Sequence, residues 1–215
     1  MDTIGTVFRK LGLYPQAEPL VAGALDIREK LLGPADLQVA ESLLSLASLR
    51  QRQGKFQEAK TLLERSLDIR AKALPPGDPL IAEAQLSLGE IHFELNELAD
   101  AESLYKSSLE IREKALGPDH PDVAGSLIDL GWLYYNDSQF DKAEAIYKRS
   151  LAILEKSLGP DHPDVADNLG SLGALCLWLR RYKESGDYYQ RALLIKEKVY
   201  GPDHPRVADS YDNLG

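Results

Sequence analysis

The pentapeptide GPDHP stands at Gly117–Pro121, Gly159–Pro163 and Gly201–Pro205, three copies that begin 42 residues apart. Each sets an acidic residue beside a histidine, and so admits two readings: a repeated metal-binding motif, or punctuation between structural elements. Sliding the sequence against itself by the same interval extends the match along the whole chain. The column of Gly117, Gly159 and Gly201 holds Gly33 and Pro75 in earlier copies, and the next column is proline in all five, from Pro34 to Pro202. A Val-Ala pair follows at Val39-Ala40, Val123-Ala124, Val165-Ala166 and Val207-Ala208, with Ile81-Ala82 in the second copy. This register predicts a single array of four full copies, 37–78, 79–120, 121–162 and 163–204, between a leading part copy, 1–36, and a trailing stub, 205–215.

Within a copy the apolar period is helical. Leu127, Leu130, Gly131 and Tyr134 recur at i, i+3, i+4 and i+7, which places them on one face. After a short turn at Ser138–Phe140, the residues Ala143, Ile146, Tyr147, Ser150, Leu151 and Leu154 repeat that spacing. Each copy therefore predicts an antiparallel pair, helix A over about 121–137 and helix B over about 141–158 in the third copy. One pair cannot bury its apolar faces alone, and stacking neighbours supplies the cover. The expected fold is all-α, a right-handed superhelical solenoid of such pairs.

The pentapeptide is explained by these boundaries. Gly117 follows the last apolar residue of helix B, where a left-handed glycine commonly closes a helix, and the proline behind it prevents continuation. His120, pushed out of the α region by Pro121, is the expected N-cap, and Pro121 suits the first helical position. Asp36 and Asp78, strong N-cap residues, occupy the same column in earlier copies. Metal ligation is the weaker reading, because equivalent elements of stacked copies lie roughly 10–20 Å apart while zinc ligands sit about 2 Å from the ion.

The small residues at Ala47, Gly89, Gly131 and Gly173, the second small column at Ala59, Ala101, Ala143 and Ser185, and the phrase FDKAEAIYKRSLAILEKSLGPDHPDVA together resemble tetratricopeptide repeats. The period and the GPDHP–VA junction resemble, more narrowly, the repeats of kinesin light chains. Where those repeats commonly read S-L-N-N-L-A, this chain has SLLSLA (42–47), QLSLG (85–89), SLIDLG (126–131) and NLGSLG (168–173). The paired asparagines are thus missing from the full copies, and Asn213 is the only match.

The resemblance implies that a second stripe of each helix A lines a concave, ligand-binding surface. Its members here are Leu44, Ser48, Gln51 and Arg52; Leu86, Glu90, Phe93 and Glu94; Ile128, Trp132, Tyr135 and Asn136; and Ala174, Leu177 and Trp178. Both tryptophans of the chain fall in this set, as interaction hot spots do. Packing between successive helices A is the competing role, and it is the expectation for the leucine and isoleucine members. Glu90 and Glu94 count as groove acids, whereas the acids that open helices A, such as Asp209, answer to the helix dipole. Arg52, Arg9 and Lys10 are the main cations beside them. The expected partner is a protein or peptide with apolar or aromatic anchors and basic flanks. The Lys and Asn clamp that grips acidic tails in some chaperone adaptors is absent from these positions.

Hydrophobic residues make up 44% of the chain and charged residues 27%, as in folded soluble proteins. A formal net charge of −9 over 215 residues argues against nucleic acid or an anionic membrane as partner. The lone Cys176 excludes an internal disulfide and suits a reducing, cytoplasmic setting. Its place in a helix A column, shared with Arg50, His92 and Tyr134, gives it and His92 a packing role. No phosphate loop, nucleophile elbow or paired-cysteine site is present, so the expectation is a protein without enzymatic activity, cofactor or metal. The chain starts and stops inside helical patterns, which suggests a fragment of a longer protein. The alternative function is therefore a sensing or end-to-end self-assembly module of a larger signalling protein.

Overall fold

The computed structural model describes residues 14–202 together with 204, 205, 207 and 208. The leading segment with Arg9 and Lys10, and the trailing one with Asp209 and Asn213, lie outside the described residues. The described residues form nine helices: α1 (Tyr14–Leu32), α2 (Leu37–Arg52), α3 (Phe56–Ala73), α4 (Pro79–Glu94), α5 (Leu98–Leu116), α6 (Pro121–Asn136), α7 (Phe140–Leu158), α8 (Pro163–Trp178) and α9 (Tyr182–Tyr200). The even-numbered elements are the helices A. The chain clusters into two units, Met1–Ile111 and Arg112–Gly215.

Helix starts follow the sequence closely. The carboxylates of Asp36 and Asp78 accept from Gln38 N at 2.8 Å and Leu80 N at 2.9 Å. The imidazole Nδ1 of His120 and of His162 accepts from Asp122 N and Asp164 N, each at 3.2 Å. All four caps have extended backbone. The histidines of these two GPDHP copies thus act as acceptors, each satisfying an orphan helix donor.

Helix ends depart from expectation in one respect. Gly159 has φ 89° but ψ 158°, which is a glycine-only region distinct from the left-handed helical well. The cause is Pro160, which bars the preceding residue from low ψ. The left-handed helical turn lies instead between helices A and B. There Gly54, Asn96, Ser138 and Arg180 have φ of 72°, 61°, 58° and 59°. Behind each, the next N–H reaches five residues back, as in Glu97 N to His92 O at 2.8 Å and Arg181 N to Cys176 O at 2.8 Å. That is the closing bond of a Schellman turn.

The core fills the space between A and B. In the first unit Val39, Ala40, Leu43, Leu49, Ala82 and Ile91 are fully buried, and in the second Val123, Leu127, Leu169, Leu172 and Leu175. In the first three full copies a buried serine on helix B ties to the alanine that follows the Val or Ile: Ser66 to Ala40 O at 2.7 Å, Ser108 to Ala82 O at 2.8 Å and Ser150 to Ala124 O at 3.0 Å. Those hydroxyls are satisfied where no water reaches. The small column lets the helices touch: a Cβ at Gly89, Gly131 or Gly173 would lie 2.7, 2.6 or 2.8 Å from the ring of Tyr105, Tyr147 or Tyr189. Where the column carries Ala47, the tyrosine position is Leu63. Arginines on helix B fasten the following helix A, Arg28 to Ser42 Oγ at 2.6 Å and Arg112 to Ser126 Oγ at 2.8 Å.

Candidate functional site

In the second unit, the end of α6 presents Trp132 and Tyr135, the start of α7 presents Phe140, and the end of α8 presents Trp178. Their rings form a continuous ladder. Trp132 stacks on Tyr135 with centroids 5.5 Å apart and planes 16° apart. Tyr135 meets the edge of Phe140 at 6.1 Å, and Phe140 meets Trp178 at 6.3 Å. The offsets match favourable aromatic geometry. Beside the ladder is an open depression of about 540 Å³ lined by Tyr135, Ala174, Leu177, Trp178, Arg180 and Tyr182.

Exposure separates this stripe from the core. Trp132 is 48% exposed and Trp178 65%, while Leu127, Leu133 and Leu175 on the same helices are buried. Leu177 and Tyr182 are exposed as well. Ile128 and Tyr135 are half-buried, and of the two Tyr135 lines the depression. Asn136 does not join them, because its Nδ2 donates to Trp132 O at 2.8 Å and folds the amide onto its own helix end. Phe140 is missing from the sequence-based set. The signal available for it is the apolar column of Phe56, Leu98, Phe140 and Tyr182 that opens every helix B.

In the first unit the candidates lie on α2 and α4. Gln51 Nε2 donates to Glu90 Oε2 at 3.3 Å. Burial pushes the Glu90 carboxyl above the ordinary range, against the opposing pull of Gln51. Arg52 and Glu94 are exposed, and Ser48, Leu86 and Phe93 are half-buried. Leu44 packs against the cluster of Ala47, Ala59, Leu63, Leu88 and Ile91, so here the packing role expected for the leucine is met in part. It also lines a second depression, about 470 Å³, with Leu37, Gln38, Glu41, Ser45, Arg70, Leu80 and Glu83. Arg70 is 4% exposed and closes its floor by a 2.7 Å bond to Glu83.

The two groups expected to pack, Cys176 and His92, are both buried. Cys176 is 1% exposed, and burial pushes its thiol above the ordinary cysteine range, which disfavours the nucleophilic thiolate. His92 does more than pack, because its Nδ1 faces the carboxylates of Glu97 and Asp100.

A tetratricopeptide repeat model matches residues 1–72, 80–156, 133–177 and 164–215. The chain belongs to the tetratricopeptide repeat family. Such repeats are generally protein-interaction modules and are typically non-catalytic. This TPR chain is similar in fold to BtubC (BKLC) from P. vanneervenii, with a TM-score of 0.79 and 20% identity over 94% of this chain and 81% of that one. It is also similar to a Podospora anserina protein assigned as a kinesin light chain with nearly identical TPR-like repeats, with a TM-score of 0.76 and 23% identity over 92% and 94% of the two chains. The apo form of RapI gives a TM-score of 0.74 at 18% identity, over 91% and 69%. The solved neighbours thus include kinesin-light-chain-like TPR proteins, and at these identities the likeness speaks for the all-helical solenoid of antiparallel pairs alone. No curated protein matches the chain. Among the described residues of this TPR chain, no helix is long and apolar enough to cross a membrane.

Proposed function

We propose that this chain is a non-catalytic interaction scaffold whose helices A hold a peptide or helical segment by its apolar or aromatic anchors. The observation that carries the reading is the ladder Trp132–Tyr135–Phe140–Trp178 with its open depression. Leaving two tryptophans half in water forgoes burial worth about 1.5–3 kcal/mol for a large apolar side chain, which a partner regains by covering them. Rigid aromatic side chains lose little entropy on being covered, which is why they dominate interface hot spots. The exposed Glu94 is the groove acid available to a basic flank, since Glu90 is engaged by Gln51.

The test uses peptides selected from a random display library on the intact chain. Replacing Trp132 and Tyr135 together by alanine abolishes their binding while the helical circular dichroism is retained. Undiminished binding by a normally helical double variant removes the proposal.

A further inference from the structure

At the A–B turn of the second copy, three ligand atoms converge. His92 Nδ1 lies 2.6 Å from Glu97 Oε2 and 3.8 Å from Asp100 Oδ2, and the three donors lie within 4.8 Å of one another. Among the described residues no other three histidine, cysteine or acidic side chains meet in this way. The His92 side chain is 10% exposed, and its Nδ1 is paired with the Glu97 carboxylate, with Asp100 standing as a second carboxylate beside the same nitrogen.

The other A–B turns show what an ordinary joint at these positions contains. In the first full copy Arg50 Nε meets Glu58 at 3.0 Å, a cation and an anion. In the third, Lys142 Nζ lies 5.1 Å from the Tyr134 ring centroid. In the fourth the three columns hold Cys176, Arg181 and Glu184. Each contains its own cation. The second copy alone sets one imidazole against two carboxylates, and its nearest cation is Lys60 of the preceding copy, 2.7 Å from Glu97.

We propose that His92 Nδ1, Glu97 and Asp100 form a site for a divalent transition-metal cation, with zinc the ion that best suits one imidazole and two carboxylates. Imidazole nitrogen with carboxylate oxygen is a donor set that binds zinc in fourfold coordination, with water completing the shell. The backbone presets two of the ligands: Glu97 N donates to His92 O at 2.8 Å, and Asn96 holds φ 61° between them. The site also sits at the carbonyl end of α4, where the helix dipole favours positive charge. The helix dipole of α5 accounts for Asp100, and Lys60 accounts for Glu97. Neither supplies the cation of its own copy that each of the other three turns has and this one lacks. Lys60 is the built-in competitor that an arriving ion displaces from Glu97.

The experiment titrates the intact chain with cobalt(II), followed by its visible absorption, and with zinc(II), followed by calorimetry. One strong site is expected. D100N, at an exposed position, and H92Q each weaken it by about tenfold or more, the penalty typical of damaged metal shells. K60M tightens it about two- to fivefold, the equivalent of a partly exposed ion pair removed from competition. H120N, at a helix cap, leaves it unchanged. No binding at millimolar ion, or binding that D100N or H92Q leaves undiminished, overturns the proposal.

Discussion

Tyr147 occupies the space that a side chain at position 131 would need: a Cβ on Gly131 would lie 2.6 Å from its Cε1. Helix propensity alone makes Gly→Ala favourable by about 1 kcal/mol, so a loss at this site isolates the clash. G131A is expected to destabilise the second unit by about 1–3 kcal/mol, as overpacking does. G131A/Y147L, which recreates the Ala47/Leu63 combination, should fall short of the sum of the single effects. Gly125 on the same helix has nothing within 4 Å of the place a methyl would take, so G125A should stabilise by about 1 kcal/mol. Urea unfolding of these variants, with Y147L alone to complete the cycle, measures all of this.

Arg180 carries a φ of 59° where the equivalent residue of the first full copy is Gly54. A side chain in that region costs about 1–2 kcal/mol. R180G is therefore expected to raise stability by about 1 kcal/mol after the greater chain entropy of glycine is subtracted. S138G should act in the same direction. Thermal melts of the single and double variants check the sign and the additivity expected of separate turns.

Equivalent positions in the two units carry opposite charge pairs. Lys60 meets Glu97 at 2.7 Å in the first, and Glu144 meets Arg181 at 2.7 Å in the second. E144K should destabilise by about 1 kcal/mol or less, and E144K/R181E should recover only part of the loss, because Lys148 and Glu184, which pair with Glu144 and Arg181, become like-charge neighbours of the new side chains. The Glu144 carboxyl is held below the ordinary glutamate value of 4.5 by Arg181, and then by Lys148. A depressed folded-state pKa contributes stability that is complete above the unfolded value and is lost as pH falls through the folded one. The gap in stability between wild type and E144Q should accordingly be constant near neutrality, shrink below pH 4.5 and vanish once the folded carboxylate is protonated. Denaturation of both proteins across that range tests the direction.

What the sequence revealed depended on how local the cause was. Caps at Asp36, Asp78, His120 and His162 were legible because each rests on a side chain and an N–H two residues apart. The conformation of Gly159 was half legible: its positive φ followed from glycine, but the effect of Pro160 on ψ outweighed the common helix-closing turn. Arg180 by itself gave no sign of its left-handed backbone, and the signal available was its column, which holds Gly54 and Asn96 in earlier copies. Trp132 and Trp178 were legible by spacing, whereas Phe140, which bridges their neighbourhoods, reads in sequence only as the end of a turn. The His92 cluster was hidden because only the Schellman bond brings positions 92 and 97 together across the turn. A histidine before the turn with acids five and eight positions later was the signal available.

The central claim, that the aromatic stripe of α6 and α8 is a binding face, is tested most directly by the chain's own fluorescence. Both of its tryptophans lie on that face. In W132F the emission reports Trp178 alone. Titration with a library-selected peptide should shift that emission to the blue and protect it from iodide quenching, with an affinity that Y135A lowers by about tenfold, the loss of a hot-spot contact of some 1–2 kcal/mol. Saturable binding that leaves the Trp178 emission and its quenching unchanged would contradict the account.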